Sequence, residues 1–323
     1  MLRTLRVATS TSLLTLCAGF ATTALAADLN VVASFSIIGD FARNVGGDRV
    51  QVKTIVGPDG DAHVYEPRPT DAVSIEQADV VLVNGLQFEG FMSRLVDTSG
   101  TKASLVEVSN GIEPLKTSEE DHAGEKDEDG AHGDDHGHGH GGHHHHGEFD
   151  PHAWQSVKNA EIYVKNIADA FCEADKAGCA TYTANSQAYI AALAELDEDV
   201  KASIESIPAD KRTIITSHDA FGYFERDYGL KFIAPEGIST EADASAADVA
   251  KLIDQVKEDK ASAIFLENIT NPRLIEQIAA ETGLVVGGTL YSDALSGEEG
   301  PSSTYIDMIR HNVDTLKSAI QGS

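Results

Sequence analysis

Basic residues are scarce in this chain of 323 residues. Lys and Arg number 24 against 52 Asp and Glu, which gives a formal net charge of −28 at neutral pH. So acidic a chain repels nucleic acid and anionic lipid, while its field attracts cations. We therefore expect no nucleic-acid partner. Long apolar runs are also missing after the first 26 residues, so we do not expect the protein to be embedded in a membrane.

The first 26 residues have the layout of a secretory signal peptide. Arg3 and Arg6 form a short positive region, an apolar stretch follows over 7–21, and Ala24 and Ala26 supply the small residues of an A-x-A cleavage pattern. We expect cleavage between Ala26 and Ala27, with export to the periplasm. An uncleaved membrane anchor is the alternative, and the shortness of the apolar stretch disfavours it.

Cysteine is rare, with three in the whole sequence. Cys17 lies within the signal peptide and could mark a lipid attachment site, but Leu16 before it is larger than the small residue that lipidation normally requires. Cys172 and Cys179 lie seven residues apart, with Gly178 able to turn the chain between them. In an oxidising compartment we expect a disulfide that closes this short loop. A metal site built on these two thiols is the alternative, and the compartment and the turn-like spacer disfavour it.

Apolar runs of strand length alternate with helical patterns in two separate parts of the chain. In the first part the predicted strands are 29–36, 50–56 and 80–84, with helices over 37–45, 70–78 and 88–95. In the second part the predicted strands are 212–217, 231–234, 263–266 and 284–286, with helices over 246–258, 272–282 and 302–320. Such alternation indicates parallel sheets covered on both faces. The predicted fold class is α/β, with two similar lobes, each a mainly parallel sheet flanked by helices.

A single long helix is predicted between the lobes. Residues 180–207 contain no Gly or Pro, and apolar side chains recur every three or four residues, at Tyr189, Leu193, Leu196, Val200 and Ile204. A helix of this length spans about 40 Å. We expect it to join an N-terminal lobe (27–179) to a C-terminal lobe (208–323) as a rigid connection, unlike the flexible crossovers of binding proteins that close widely.

Residues 117–147 form an insertion in the first lobe that is almost without apolar side chains. It holds nine His among many Asp, Glu and Gly residues: His122, His132, His136, His138, His140, His143, His144, His145 and His146. Such a segment cannot bury enough surface to offset its ordering entropy, so we expect it to be disordered. Its imidazoles are mostly neutral at neutral pH, and we expect them to bind several zinc ions weakly and raise their local concentration. A solvated acidic linker that happens to contain His is the alternative.

Four further His lie outside this insertion, and three of them stand next to predicted strands or helix starts. His63 lies in a turn-rich loop after a strand, His152 at a helix start, and His218 directly after a strand; Asp293 also follows a strand. In open α/β folds ligands bind at this edge. Three imidazoles and one carboxylate make a tetrahedral set suited to Zn²⁺. Each residue alone could instead cap or pack an element, and His311, in the last helix, is expected at the surface.

Ligating imidazoles usually donate their second N–H to a carboxylate or a carbonyl. Asp150, Asp219 and Glu267 are the candidates for this role by position. Asp150 precedes His152 by two residues, and Asp219 directly follows His218. Glu267 follows the predicted strand 263–266.

Five segments carry a resemblance to a known family. They are PDGDAHVYEPRPTD at 58–71, DPHAW at 150–154, TSHDAFGYF at 216–224, GIST at 237–240 and TLYSDALS at 289–296. On these motifs the chain resembles the cluster A-I solute-binding proteins of ABC importers for zinc and manganese, over essentially its whole exported length. The long helix and the His-rich insertion match that family too. The resemblance implies two α/β lobes with a connecting helix that limits closure, and it carries the family's metal ligands onto His63, His152, His218 and Asp293.

The resemblance also implies a metal and a function. His is typical of the third ligand in zinc members and Glu in manganese members, so His218 implies one tight Zn²⁺ site, with weaker sites in the insertion. Some zinc members use water or a nearby Glu in place of the carboxylate that Asp293 would supply. The implied function is a monomeric, non-catalytic periplasmic receptor that delivers zinc to a cognate ABC membrane permease.

Other functions stay open at this point. The chain could be a manganese receptor of the same family, or a free-standing periplasmic zinc buffer or chaperone. A zinc enzyme is a further alternative, since three protein ligands plus water is the catalytic arrangement, but the sequence lacks HExxH or a comparable base motif. Loading by a periplasmic zinc metallochaperone and direct capture of the ion are both compatible with the sequence.

Overall fold

The apolar runs of the first part of the chain form a buried parallel sheet. A computed structural model describes residues 29–117, 147–242 and 244–322, and in it four strands pair in the order β2-β1-β3-β4. The strands are β1 Leu29–Phe35, β2 Val50–Val56, β3 Val80–Val83 and β4 Ser104–Glu107, and the helices between them are α1 Ser36–Gly46, α2 Pro69–Glu76 and α3 Met92–Ser99. The two central strands are buried along nearly their whole length, as expected where helices cover both faces of a sheet.

A second parallel sheet repeats this arrangement after residue 212. Its four strands pair in the order β6-β5-β7-β8. The strands are β5 Thr213–Ile215, β6 Lys231–Ile233, β7 Ala263–Glu267 and β8 Val286–Leu290, and the helices are α6 Gly222–Tyr228, α7 Ala246–Asp259, α8 Pro272–Thr282 and α9 Tyr305–Gly322. The predicted fold class, two α/β lobes with parallel sheets flanked by helices, is confirmed.

Two long antiparallel helices stand between the sheets. The helix α4 (Val157–Ala174) leads into α5 (Cys179–Glu205), a continuous helix of 27 residues that covers most of the predicted 180–207. Its buried stripe includes Leu193, Leu196, Val200 and Ile204, which pack into the main hydrophobic core. The last helix, α9, returns from the second sheet to pack against α5 and α1. One core therefore runs through residues of both lobes.

A disulfide and an ion pair stabilise the turn between α4 and α5. Cys172 and Cys179 form a disulfide, as predicted. Arg49 Nη2 lies 2.7 Å from Asp175 Oδ2, and the Tyr182 hydroxyl donates to the same oxygen at 2.9 Å. The guanidinium of Arg49 lowers the pKa of Asp175 to about 2. These contacts fasten the start of the long helix to the first lobe.

Several element boundaries differ from the prediction. The helix predicted over 88–95 lies instead at Met92–Ser99, and residues 88–91 follow a left-handed turn in which Gly85, Leu86 and Gln87 all have positive φ. The last strand lies at Val286–Leu290 rather than 284–286, with two glycines that pattern analysis discounts. The sequence pattern did not place the edge strand β4 or the helix α6, and it placed only the start of a helix near His152, which leads through a 3₁₀ turn into α4.

Some predictions fall outside the described residues. The signal peptide at 1–26 and the nine His of the insertion lie there, and only the ends of the insertion are described. Those ends are close together, since Thr117 N–H donates to Glu148 O at 3.1 Å and Lys116 pairs with Phe149 in an antiparallel bridge. Among the helices in the described part of the chain, none combines the length and apolar character needed to cross a membrane.

Candidate metal centre

The four side chains singled out in the sequence meet between the two sheets. One potential ligand atom each from His63, His152, His218 and Asp293 lies within 4.8 Å of every other. His63 comes from the loop after β2, His218 from the loop after β5 and Asp293 from the loop after β8; His152 stands before a short 3₁₀ turn that leads into α4. Each lobe therefore contributes two of the four, as the alternation of strands and helices predicts.

Four of the six distances between these atoms match the edges of a small coordination tetrahedron, and all six are within 4.8 Å. His63 Nε2 lies 3.3 Å from His152 Nε2 and 3.2 Å from Asp293 Oδ2. Asp293 Oδ2 is also 3.2 Å from His218 Nε2 and 3.6 Å from His152 Nε2. Metal–ligand bonds of about 2.0–2.1 Å at tetrahedral angles place neighbouring donors about 3.3 Å apart. Asp293 Oδ2 thus lies at the spacing from all three nitrogens that a divalent transition metal requires.

The centre is almost closed to solvent. The side chains of His152, His218 and Asp293 are fully buried, and that of His63 is 5 % exposed. Phe88 packs its ring against both His63 and His152, with centroids 4.8 and 5.8 Å away. Asp293 Oδ1 is buried and has no hydrogen-bond partner among the described residues. An unpaired buried carboxylate oxygen is costly unless a cation is near it, which fits a metal centre.

Two of the three predicted orienting carboxylates contact an imidazole. His152 Nδ1 lies 2.8 Å from Asp150 Oδ1, which also accepts the backbone N–H of His152. His218 Nδ1 lies 2.7 Å from Glu267 Oε2, close enough for an ion pair although the two atoms are poorly aligned for a hydrogen bond. The other oxygen of Glu267 accepts the backbone N–H groups of Ser217 and His218. These contacts direct the Nε2 atom of each imidazole to the centre.

The third candidate and the remaining His stand elsewhere. Asp219 donates its backbone N–H to Gly237 O, and an orienting role for its carboxylate stays a prediction. His311 was expected at the surface, but it is half-buried with Nε2 3.1 Å from Thr289 O, because its helix packs onto β8. It is not one of the four residues that meet at the centre.

Electrostatics at the centre favours charged groups in spite of their burial. Burial disfavours protonation of His152, but Asp293 and Asp150 outweigh it and raise the pKa to about 9. The pKa of His218 is also raised, with burial opposed by Glu267 and Asp293. Burial alone would raise the pKa of Asp293, but the imidazoles of His152 and His218 lower it. For His63 burial prevails and the pKa is lowered.

Sequence reasoning missed a set of contacts that join the lobes behind the centre. The carbonyl of Ser292, next to Asp293, accepts Trp154 Nε1–H at 2.9 Å and Gln155 Nε2–H at 2.7 Å. Leu295 N–H donates to Ser36 Oγ at 2.9 Å. The only sequence signal for this set is Trp154, the single Trp of the chain, within the DPHAW motif. Backbone carbonyls leave no sequence pattern of their own.

Comparisons with known proteins agree with this geometry. Residues 31–319 match the model of the family described as "Zinc-uptake complex component A periplasmic" (ZnuA). The iron-binding protein YfeA of Yersinia pestis is 35 % identical over 286 residues, 88 % of this chain and 84 % of YfeA. The manganese-binding lipoprotein MntA of Halalkalibacterium halodurans is 34 % identical over 292 residues, 90 % of this chain and 88 % of MntA.

The fold has a counterpart among solved structures. The periplasmic zinc-binding protein TroA of Treponema pallidum superposes with a TM-score of 0.78 at 30 % identity, covering 91 % of this chain and 99 % of TroA. The names of these relatives differ in the metal, which is iron, manganese or zinc. The sequence, the two-lobed fold and the His/Asp centre agree on one conclusion. The chain belongs to the ZnuA family, the periplasmic metal-binding receptors of ABC transporters.

Proposed function

We propose that this chain is a high-affinity zinc receptor of the periplasm. It captures one Zn²⁺ between its lobes through His63, His152, His218 and Asp293 and delivers the ion to the permease of an ABC importer. The observation that carries the proposal is the convergence of three Nε2 atoms and one carboxylate oxygen within 4.8 Å, with four of their six separations near a tetrahedral edge. The family's role in transport supports a receptor over a zinc enzyme.

The donor set supports zinc over manganese. Imidazole nitrogen suits zinc, whereas Mn²⁺ prefers carboxylate, carbonyl and water oxygens. Three of the four donors are imidazoles, and among the described residues the two nearby carboxylates, Asp150 and Glu267, are turned towards Nδ1 atoms rather than the centre. A manganese receptor is the second candidate, because MntA is named for that metal.

The nine His of 122–146 supply a second, weaker class of site in this proposal. They would collect zinc beside the cleft and exchange it rapidly, whether to load the centre or to buffer excess metal. The exported chain acts as a monomer after cleavage near Ala26 and Ala27. A periplasmic metallochaperone is a possible donor of the ion in place of free zinc.

Competitive metal titration of the exported protein tests these assignments. A matched variant replaces residues 118–147 with Asn-Gly, which suits a tight turn between the paired residues Lys116 and Phe149. We expect one tight zinc site in both proteins and additional weak sites in the full-length protein alone. Manganese should bind the tight site more weakly than zinc does.

Loss of all tight zinc binding in the shortened, folded protein would contradict the assignment to the centre. Tighter binding of manganese than of zinc would favour the second candidate. Transport assays with the cognate permease separate a receptor from a free-standing buffer, because only a receptor should stimulate zinc uptake by the reconstituted transporter.

A further inference from the structure

The mouth of the cleft lies on the side of His63. Of the four centre residues, His63 alone has a side chain with measurable exposure, at 5 %. It ends a turn-rich loop, residues 57–63, in which Asp59 has a positive φ of 53°. Solvent therefore reaches the centre beside this loop, since the other three side chains are fully buried.

Asp61 in this loop joins the two lobes with its two carboxylate oxygens. Oδ1 accepts the backbone N–H of His63 at 2.8 Å, and Oδ2 accepts the hydroxyl of Thr240 at 2.6 Å. Thr240 ends the GIST segment of the second lobe, which follows β6. One half-buried side chain thus connects the backbone of a centre residue to the opposite lobe.

Asp59 makes a second connection from the same loop. Its backbone N–H donates to Leu295 O at 2.9 Å, and its side chain accepts Asn268 Nδ2–H at 3.0 Å. Leu295 lies two residues after Asp293, and Asn268 directly follows Glu267, the partner of His218. The loop that carries His63 is therefore tied to segments that carry or orient both donors of the second lobe.

We propose that Asp61–Thr240 and Asp59–Asn268 form a latch that sets the rate at which the bound metal leaves. The proposal rests on the proposed function, because it takes the four-residue centre as the metal site. None of the four latch residues contributes a donor atom to the centre. Opening the cleft on the His63 side breaks both contacts, so weakening either one should speed metal release and leave the donor set unchanged.

The position of the latch separates this role from a merely structural one. Asp59 is exposed, and Asp61, Thr240 and Asn268 are half-buried, so water can solvate their polar groups when the contacts break. Loss of one contact should therefore lower the stability of the closed metal-free fold by no more than it favours opening. A hydrogen bond to a carboxylate contributes enough that its loss changes an opening equilibrium by about tenfold.

The test compares Thr240→Val, which removes the hydroxyl at nearly constant volume, with Thr240→Ser, which retains it. Thr282→Val is the matched control, because the hydroxyl of Thr282 bonds within its own helix at Ile278 O. Full-length exported protein is loaded with less than one equivalent of Co²⁺ and mixed with excess EDTA. The decay of the Co²⁺ absorption gives the release rate, and its spectrum reports the donor set.

We expect Thr240→Val to release Co²⁺ about tenfold faster than the parent, with the same spectrum and only a small fall in the unfolding temperature without metal. Thr240→Ser and Thr282→Val should release at the parental rate. Asp59→Gly should also accelerate release, because it removes the contact with Asn268 while glycine accommodates the positive φ. This variant replaces Thr240→Val as the test if Thr240→Val does not fold.

Parental release rates in both Thr240→Val and Asp59→Gly would overturn the latch. An altered Co²⁺ spectrum in these variants would overturn it too, because the residues would then shape the donor set. If the parent itself shows no single Co²⁺ site with a tetrahedral spectrum, the proposed function is wrong. That result differs from a failure of the latch, in which the parent keeps its tetrahedral site and only the release rates of the variants are unchanged.

Discussion

Each imidazole of the centre has a different environment, and the differences assign different roles. His152 and His218 are fully buried, and each has a carboxylate beside Nδ1 that orients it. His63 has an aromatic neighbour, Phe88, and a backbone tie to Asp61. The first two are therefore held rigidly within their own lobes, whereas His63 depends on a loop that contacts the opposite lobe.

His218→Ala should remove most of the tight metal binding. A change in an orienting partner alone typically costs about 10–100-fold in affinity, so loss of a donor should cost more than about 100-fold. His311→Ala is the matched control, since His311 lies in the same lobe outside the centre. Competition titrations should show a large loss for the first variant, parental affinity for the second and unchanged weak sites in both. Equal losses in the two variants would remove His218 from the metal site.

Metal binding should release protons at neutral pH. The pKa of His152 in the metal-free protein is about 9, and that of His218 is also raised. Both imidazoles are therefore protonated at neutral pH when no metal is bound. A metal requires the deprotonated nitrogen, hence metal affinity should rise with pH up to about 9.

The stability of the metal-free fold should change with pH in the opposite direction. The stabilisation from protonated His152 is complete below pH 6.5 and is lost as the pH rises through about 9.

Calorimetry in buffers of different ionisation enthalpy measures the protons released. We expect at least one proton per zinc ion at pH 7 and fewer near pH 9. Binding without proton release at pH 7 would show that the imidazoles are already neutral, contrary to the electrostatics of the centre.

The elements that sequence patterns predict well are those that apolar burial alone defines. The strand β2 was predicted at its observed bounds and β1 to within one residue, because both are unbroken runs of strand length. The start of α3 was predicted four residues too early, just after a turn of three residues with positive φ, two of which are not Gly. Leu86 and Gln87 carry no sequence signal for that backbone, which tertiary contacts impose.

Local sequence context also decides which residues of the centre could be predicted. The four residues stood out because His is scarce outside the insertion and because each follows a strand or begins a helix. The latch and the Ser292 carbonyl contacts did not stand out, since they join residues more than 130 positions apart. Such pairs become visible only when the two lobes are placed together.

The left-handed turn before α3 carries a buried carboxyl group whose ionisation should be measurable. Glu89 accepts hydrogen bonds from Ser34 Oγ and Asn84 N–H, yet burial raises its pKa from 4.5 to about 7. The folded state thus holds this proton more tightly than the unfolded state. Stability should fall as the pH rises from about 4.5 to about 7, and Glu89→Gln removes this dependence.

Urea unfolding of the metal-free protein at pH 5 and pH 8 tests this expectation. Between pH 5 and pH 8 the parent should lose up to about 3 kcal/mol of unfolding free energy relative to Glu89→Gln. Glu148→Gln, at an exposed site, is the control and should show no such shift. A constant difference for Glu89→Gln would mean that the carboxyl group is solvated in the folded protein.

At the scale of the whole molecule, the two lobes share more than a connecting helix. The carboxylate of Asp40 in α1 accepts the Tyr305 N–H at the start of α9 and the Tyr189 hydroxyl of α5. The Tyr305 hydroxyl donates to Trp154 O, beside the centre. With α9 packed on α1 and α5, these contacts make large lobe separation costly.

The net charge of the whole chain affects how fast metal ions reach the protein. A formal charge of −28 draws cations towards the protein, which raises the rate of metal encounter and makes it sensitive to ionic strength. Selection among metals then falls to the four donors, because a long-range field does not distinguish one divalent ion from another.

The four-residue zinc site can be tested by anomalous diffraction at the zinc edge, from crystals of the exported protein grown with one equivalent of zinc. We expect one strong peak between the lobes, about 2.0–2.2 Å from Nε2 of His63, His152 and His218 and from Oδ2 of Asp293. A strong peak that lacks any two of these four donors, or a centre without zinc while metal is bound elsewhere, would contradict it.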